Sequence, residues 1–294
     1  MTDTAKRVRP DWVDGELFPF ESHFVDIDGN SVHYIDEGSG PILLLLHGNP
    51  TWSFLWRDVV RELRRDYRCI ALDYPGFGLS TARSGYRFAP QDHAEVVTAF
   101  VDELALDDVT LVGQDWGGMI GLAVAQRRPE VFRRLVLANT WAWPVNGILH
   151  FEAFGHIMGG PLTRLLVRRF NLLVSAFIPV GHKRRKPSGS EMEHYRRALD
   201  TPARRQASAV LPGQVLSGRP FFAAVEAGLP AIAHLPTLII WGDADIAFRP
   251  QERERLEREF PDHQTVIVEG AGLYVESDAP EEFVAAFRGW AARP

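Results

Sequence analysis

The run Gly113-Gln114-Asp115-Trp116-Gly117-Gly118 sets a carboxylate among glycines where the chain changes character. Residues 108–112 before it are a short apolar run with β-branched side chains, and residues 119–125 after it read as a buried helix. Strand, Gly-x-X-x-Gly turn and helix together are the context of a nucleophile elbow, which lifts one side chain above a sheet. Glycines at 113 and 117 allow the backbone to pack where a Cβ would collide. The central residue is aspartate, not the serine that esterases carry there. A carboxylate with an ordinary pKa of about 3.9 needs no base to become a nucleophile, so Asp115 is expected to be anionic at neutral pH. It is equipped to attack an electrophilic carbon and form an ester with it. The plainer role, an N-cap for the following helix, explains neither the paired glycines nor the strand behind them.

The elements that must hold Asp115 follow from periodicity. Residues 22–29 and 30–38 alternate around Asp28-Gly29-Asn30, a hairpin signal. The continuous apolar run 41–46 reads as a strand buried on both faces. Helical spacing over 53–63, a strand at 67–72, a Gly/Pro-punctuated loop at 73–80 and a helix at 91–104 lead to the elbow strand. Another strand at 134–138 follows the elbow helix. Alternating strands and helices give a parallel sheet with the reactive groups at the C-terminal strand ends. Between about 145 and 233 the alternation stops. Helical spacing is expected over 150–158, 162–177, 192–198 and 220–227, a helical cap inserted after the sixth strand. The basic run 182–187 is expected to be a solvated loop. Strands at 236–242 and 263–268, with helices at 251–259 and 280–291, complete the α/β class. Residues 1–144 and 234–294 are thus expected to form the core, and 145–233 the cap.

The whole chain bounds the partners. Its 294 residues are 46% hydrophobic and 24% charged, a soluble globular composition. The net charge of -6 argues against a nucleic-acid or anionic-membrane partner. No apolar run approaches the roughly 20 residues that span a bilayer. The polar N-terminus shows no signal peptide, and the lone Cys69 sits in an apolar strand, expected in the core. A cytoplasmic protein is expected.

From about Pro19 to Trp290 this order of parts resembles the α/β-hydrolase fold, with a mostly parallel eight-stranded sheet. The finer motifs are similar to those of haloalkane dehalogenases: His47-Gly48-Asn49-Pro50 after the third strand, the elbow run itself, and Asn139-Thr140-Trp141 through Trp143-Pro144 after the sixth. The resemblance implies a small halogenated aliphatic substrate and no cofactor or metal. Displacing halide from an sp3 carbon builds negative charge on the leaving atom, so the site needs donors and no acid. The Asn49 amide and the Trp116 indole N–H are such donors, placed beside the elbow by the fold and aimed as an oxyanion hole is. The plainer roles are a turn residue before proline for Asn49 and packing for Trp116. The resemblance makes Asp245 the acid after the seventh strand, with Asp243 as the local competitor that closes a turn. In the family such an acid orients the catalytic histidine.

Here the chain departs from the pattern. Gly270-Ala271-Gly272-Leu273-Tyr274 puts Leu273 in the histidine slot, and no other histidine is expected near it. His263 lies at the far end of the last strand, and His47 is expected to support its own turn. The resemblance therefore implies alkylation of Asp115 with halide release, followed by impaired hydrolysis of the ester. Two alternatives remain open. Epoxide hydrolases share the Asp nucleophile but use cap tyrosines, of which this cap has only Tyr195. A non-catalytic small-ligand-binding protein of the same fold is the other.

Overall fold

The chain opens on a hairpin. β1 (His23–Ile27) and β2 (Asn30–Glu37) pair antiparallel across Asp28 and Gly29, whose φ angles of 50° and 77° suit a two-residue turn. The remaining strands are β3 (Ile42–Leu46), β4 (Arg68–Leu72), β5 (Val109–Gln114), β6 (Phe132–Ala138), β7 (Thr237–Gly242) and β8 (His263–Val268). They form one sheet in the order β1-β2-β4-β3-β5-β6-β7-β8, in which β2 alone runs against its neighbours. The computed structural model describes residues 9–293; the stretch 1–8, most of the segment expected to lack a signal peptide, lies outside the described residues.

Every residue of β5 and β7 is buried, as expected of strands covered on both faces. On the sheet's two sides pack α1 (Arg57–Leu63), α2 (Pro90–Glu103) and α3 (Trp116–Arg127). The helical spacing expected over 53–63 begins as a 3-10 turn, Ser53–Trp56, before α1. Cys69 is fully buried in β4.

Six helices lie between β6 and β7. They are α4 (Leu149–Gly159), α5 (Pro161–Phe170), α6 (Ile178–Gly181), α7 (Gly189–Ala198), α8 (Arg205–Ser217) and α9 (Arg219–Gly228). The single helix expected over 162–177 is broken. Asn171 ends α5 in the left-handed region, φ 53°, and its Nδ2 donates to the Leu199 carbonyl at 3.2 Å. A short π-helical segment, Leu173–Phe177, then leads into α6. α8 spans a stretch for which no helix is expected, and Pro212 and Gly213 lie inside it. Gly159 lets α4 close on α8: a Cβ on it would sit 2.6 Å from the Gly213 Cα, whereas one on Gly213 would meet Gly159 at an ordinary 3.5 Å. After β7 come α10 (Pro250–Glu259), α11 (Val275–Asp278) and α12 (Pro280–Ala291).

The basic run 182–187 is the exposed loop expected, though its backbone is tied down. The Asp278 carboxylate accepts the backbone N–H groups of Lys183, Arg184 and Arg185 at 2.8–2.9 Å, and His182 is fully buried. The charged ends face outward while the backbone is pinned to α11. Among the described residues no helix is long and apolar enough to cross a membrane.

Candidate active site

Asp115 sits at the junction of β5 and α3 with φ 52° and ψ −125°, a conformation that costs a non-glycine residue about 1–3 kcal/mol. The turn persists because its surroundings leave no alternative. A Cβ on Gly117 would collide with the Leu46 carbonyl oxygen, and one on Gly48 would collide with the Asp115 carboxylate itself. The Asp115 N–H donates to the Asn139 carbonyl at 3.1 Å, and the Asp115 carbonyl accepts the Thr140 hydroxyl at 2.6 Å. The ends of β3, β5 and β6 thus grip one residue.

The carboxylate is buried. The Asn49 backbone N–H donates to Oδ2 at 2.9 Å. Burial pushes the Asp115 pKa up to about 7; the backbone N–H groups of Asn49 and Trp116 pull against that push, and Asp245 adds to it. Desolvation thus opposes the fully anionic Asp115 expected at neutral pH, and the two N–H donors favour it.

Asp115, Asn49, Trp116, Asp245 and Leu273 all line one cavity of about 230 Å³, walled otherwise mainly by Trp141, Phe151, Phe248 and other apolar side chains. The Asn49 Nδ2 makes only a long contact, 3.4 Å, to the Ser208 carbonyl of α8, and its Oδ1 is buried without a partner. Trp116 packs edge-on against Trp141, ring centroids 4.9 Å apart. Trp141 has a buried indole nitrogen with no hydrogen-bond partner and was missed in the sequence as a donor, although its motif after β6 was in view.

Asp245 is held without any imidazole. Its Oδ2 accepts from the Asn139 amide at 2.9 Å, and its Oδ1 accepts the Ala247 N–H at 2.7 Å. Burial pushes it up to about 6 against the donors at Ala247, Asn139 and Phe248. Asn139 also binds across to Gly242 with both ends of its amide, 3.1 and 2.9 Å, so it joins β6 to the acid loop. Sequence reasoning gave Asn139 no separate role. Asp243 instead accepts the Gly270 N–H at 2.6 Å on the exposed side, a tie between the loops after β7 and β8 rather than the closure of its own turn.

Leu273 presents an aliphatic side chain to the cavity, while its carbonyl accepts from the Gln114 side chain at 3.0 Å. His47 contacts the carbonyl of Gly48 through Nδ1 at 2.8 Å and accepts the Tyr74 N–H through Nε2, supporting its turn; burial pushes it down to about 4, so it is neutral. His263 is bonded to the Phe260 carbonyl at the start of β8. His150 of α4 also lines the cavity, which the sequence did not foretell, its ring against Phe151 with centroids 4.3 Å apart. Tyr195 is buried and does not line the cavity. Among the described residues no three His, Cys, Asp or Glu side chains converge to hold a metal ion.

The sequence family described as alpha/beta hydrolase fold matches residues 41–275. Haloalkane dehalogenase 2 of Mycobacterium tuberculosis (strain H37Rv) is 44% identical over 275 residues, 93% of this chain and 96% of that protein. A cis-3-alkyl-4-alkyloxetan-2-one decarboxylase of Shewanella oneidensis is 34% identical over 283 residues, 91% of this chain and 87% of that one. Among solved structures, haloalkane dehalogenase DbeA from Bradyrhizobium elkani superposes with a TM-score of 0.84 at 26% identity, covering 93% of this chain and 98% of that one. A putative ancestral haloalkane dehalogenase gives 0.82 at 27% identity, covering 92% and 98%.

Proposed function

Because the chain belongs to the haloalkane dehalogenase family within the α/β-hydrolase fold, we propose that Asp115 opens the carbon–halogen bond of a small haloalkane. The observation that carries this reading is a carboxylate on the wall of an apolar cavity beside Asn49 and Trp116. A carboxylate oxygen bonds to the carbon, the carbon–halogen bond breaks with its electron pair, and halide leaves. The Asn49 amide and the Trp116 indole N–H are the donors that stabilise the leaving charge, and residues 145–233 act as the cap that shapes the pocket. No proton moves in this step, so Leu273 does not impede it.

Release of the alcohol needs a water deprotonated by a base, a contribution of about 10²–10⁴-fold that leucine does not make. The expected product is therefore a stable alkyl ester on Asp115. Incubation with excess 1-bromobutane should release about one bromide per protein, with one butyl group retained on the Asp115 peptide by mass spectrometry. Leu273→His should convert that burst into continuous bromide release. Neither bromide nor adduct from either protein would leave a ligand-binding protein as the better account. An epoxide hydrolase gains little support, since Tyr195 is outside the cavity.

One observation favours a second reading. Opening of an oxetan-2-one by Asp115 at the ring carbon bearing oxygen would leave a β-acyloxy carboxylate. Loss of CO2 from it, with its electrons forming the alkene and expelling Asp115, consumes neither water nor a base. Leu273 is no handicap to such a cycle, and relatives of that name match most of the chain. A cis-3,4-dialkyl-oxetan-2-one should then give alkene over many turnovers, in the unmodified chain as in Leu273→His. Failure to form alkene removes this reading and leaves the dehalogenase reading untouched.

A further inference from the structure

The outer surface of α4 and α5 carries an apolar stripe that the fold does not use. Leu162, Leu165, Leu166 and Phe170 recur at i, i+3, i+4 and i+8 on α5, with exposures from 36% to 68%, and only Val167 of that helix is buried. An amphipathic helix ordinarily turns such a stripe inward; here it faces out. On α4, Leu149 and Ile157 are exposed while Phe151 and Phe154 line the cavity. Val180 is both exposed and part of the cavity lining, so the apolar surface reaches the cavity wall. Of the nine large apolar side chains exposed among the described residues, seven fall between 149 and 180. A concentration of that kind marks an interaction surface.

The charge on the same segment selects the partner. Between residues 153 and 190 there are seven Lys and Arg and no Asp or Glu, in a chain whose net charge is -6. The acidic total that argued against an anionic surface is an average over an uneven distribution. The backbone of Lys183 to Arg185 is held against α11, Lys186 donates to the Pro179 and His182 carbonyls, and Arg184 and Arg185 pair with Glu282 and Glu191. Arg164, Arg168 and Arg169 of α5 have no carboxylate partner among the described residues. Arg169 lies within the apolar stripe, its guanidinium 5.6 Å from the Phe170 ring centre. That is the arrangement in which an arginine lays its aliphatic stem along apolar surface and keeps its head at a polar boundary. A second copy of this chain meeting the patch face to face would oppose the same arginines. An anionic lipid surface satisfies both the leucines and the arginines.

We propose that α5, with the exposed edge of α4, docks the protein peripherally on an anionic lipid surface, with Leu162, Leu165 and Phe170 at the acyl boundary and Arg164, Arg168 and Arg169 at the headgroups. The cavity then opens beside a phase in which apolar small molecules concentrate. The docking itself requires nothing of the reaction assigned to Asp115, and either stands if the other fails.

The test is co-sedimentation of the full chain with vesicles of equal parts phosphatidylcholine and phosphatidylglycerol, with pure phosphatidylcholine vesicles in parallel. Binding is expected to the anionic vesicles at low salt and to weaken as salt is raised. An arginine near such a surface is worth about fivefold, so the triple change of Arg164, Arg168 and Arg169 to Gln should weaken binding on the order of 100-fold. Leu162→Ser with Phe170→Ser should also weaken it, and circular dichroism checks that both variants remain folded. Bromide release from dissolved 1-bromobutane should be unchanged, since none of these side chains lines the cavity. The proposal is overturned by absence of binding, or by binding that neither variant weakens. It is equally overturned if light scattering shows a dimer that Leu162→Ser with Phe170→Ser dissociates, which assigns the patch to self-association.

Discussion

At Asp115 one residue type meets two demands. A nucleophile against an apolar carbon must be dry, and a dry carboxylate is harder to ionise. The pKa of about 7 expresses that conflict in the present chain. Only the carboxylate attacks, so deprotonation activates. The rate of the bromide burst should rise with pH along a single limb centred near 7 and be flat above it, read by stopped-flow at fixed substrate. In Leu273→His an imidazolium beside the nucleophile favours its charged form, and the limb should move to lower pH. A profile flat from pH 5 to 9 would mean that Asp115 is ionised throughout. Identity and place of this residue are written in the glycines around it, but its protonation is not. Burial is a property of the folded surroundings, and no local sequence pattern encodes how much water a cavity excludes.

The elements show the same division. Strands β3, β5, β6 and β7 were readable as short apolar runs closed by turn residues, and Asn49, Asp115, Trp141 and Asp245, just past their ends, line the cavity. The helices between β6 and β7 were less readable. Asn171 looks like any polar residue in a helical run until its left-handed φ is known, and Pro212-Gly213 mimics a loop while serving a close helix contact. Ties between elements far apart in the chain were not readable at all. Glu191 at the start of α7 joins the buried Arg57 of α1 and also Arg185, at 2.9 Å. Burial pushes the Glu191 carboxyl up, yet Arg57, the Ser188 N–H and Arg185 together hold it down at about 2. Because the folded pKa lies below the ordinary 4.5, this contribution is complete above pH 4.5 and is lost as pH falls toward 2. Glu191→Ala leaves the buried Arg57 with Asp58 alone, 3.3 Å away, and should cost about 3 kcal/mol, the low end for a broken buried pair, in denaturant unfolding at pH 7. A loss below about 1 kcal/mol, the range of exposed pairs, would show Arg57 rehydrated.

Across the molecule the helical insertion shares a core with the sheet, apart from a small cluster of its own formed by Met158, Val167, Leu173 and Ala209. Phe151, Leu211, Val215 and Phe222 belong to the same apolar cluster as Leu44, Leu111 and Met119 beneath the sheet. A continuous core couples its parts, so tryptophan fluorescence and far-UV circular dichroism should report one coincident urea transition. Two resolved transitions would mean that residues 145–233 unfold alone. The composition foretold a protein of this class, while the grouping of cations and exposed leucines on one side is visible only when position is added to count.

Asn139 bears on how the chain is able to change. It holds Asp245 in place from the opposite strand with no imidazole present. The acid's seat is therefore already built, and a histidine arriving at position 273 would find its orienting partner waiting. Some leucine codons lie a single base from a histidine codon. Where Leu273 is encoded by CTT or CTC, a library of random single-base changes selected for growth on a brominated alkane should yield Leu273→His among its first survivors.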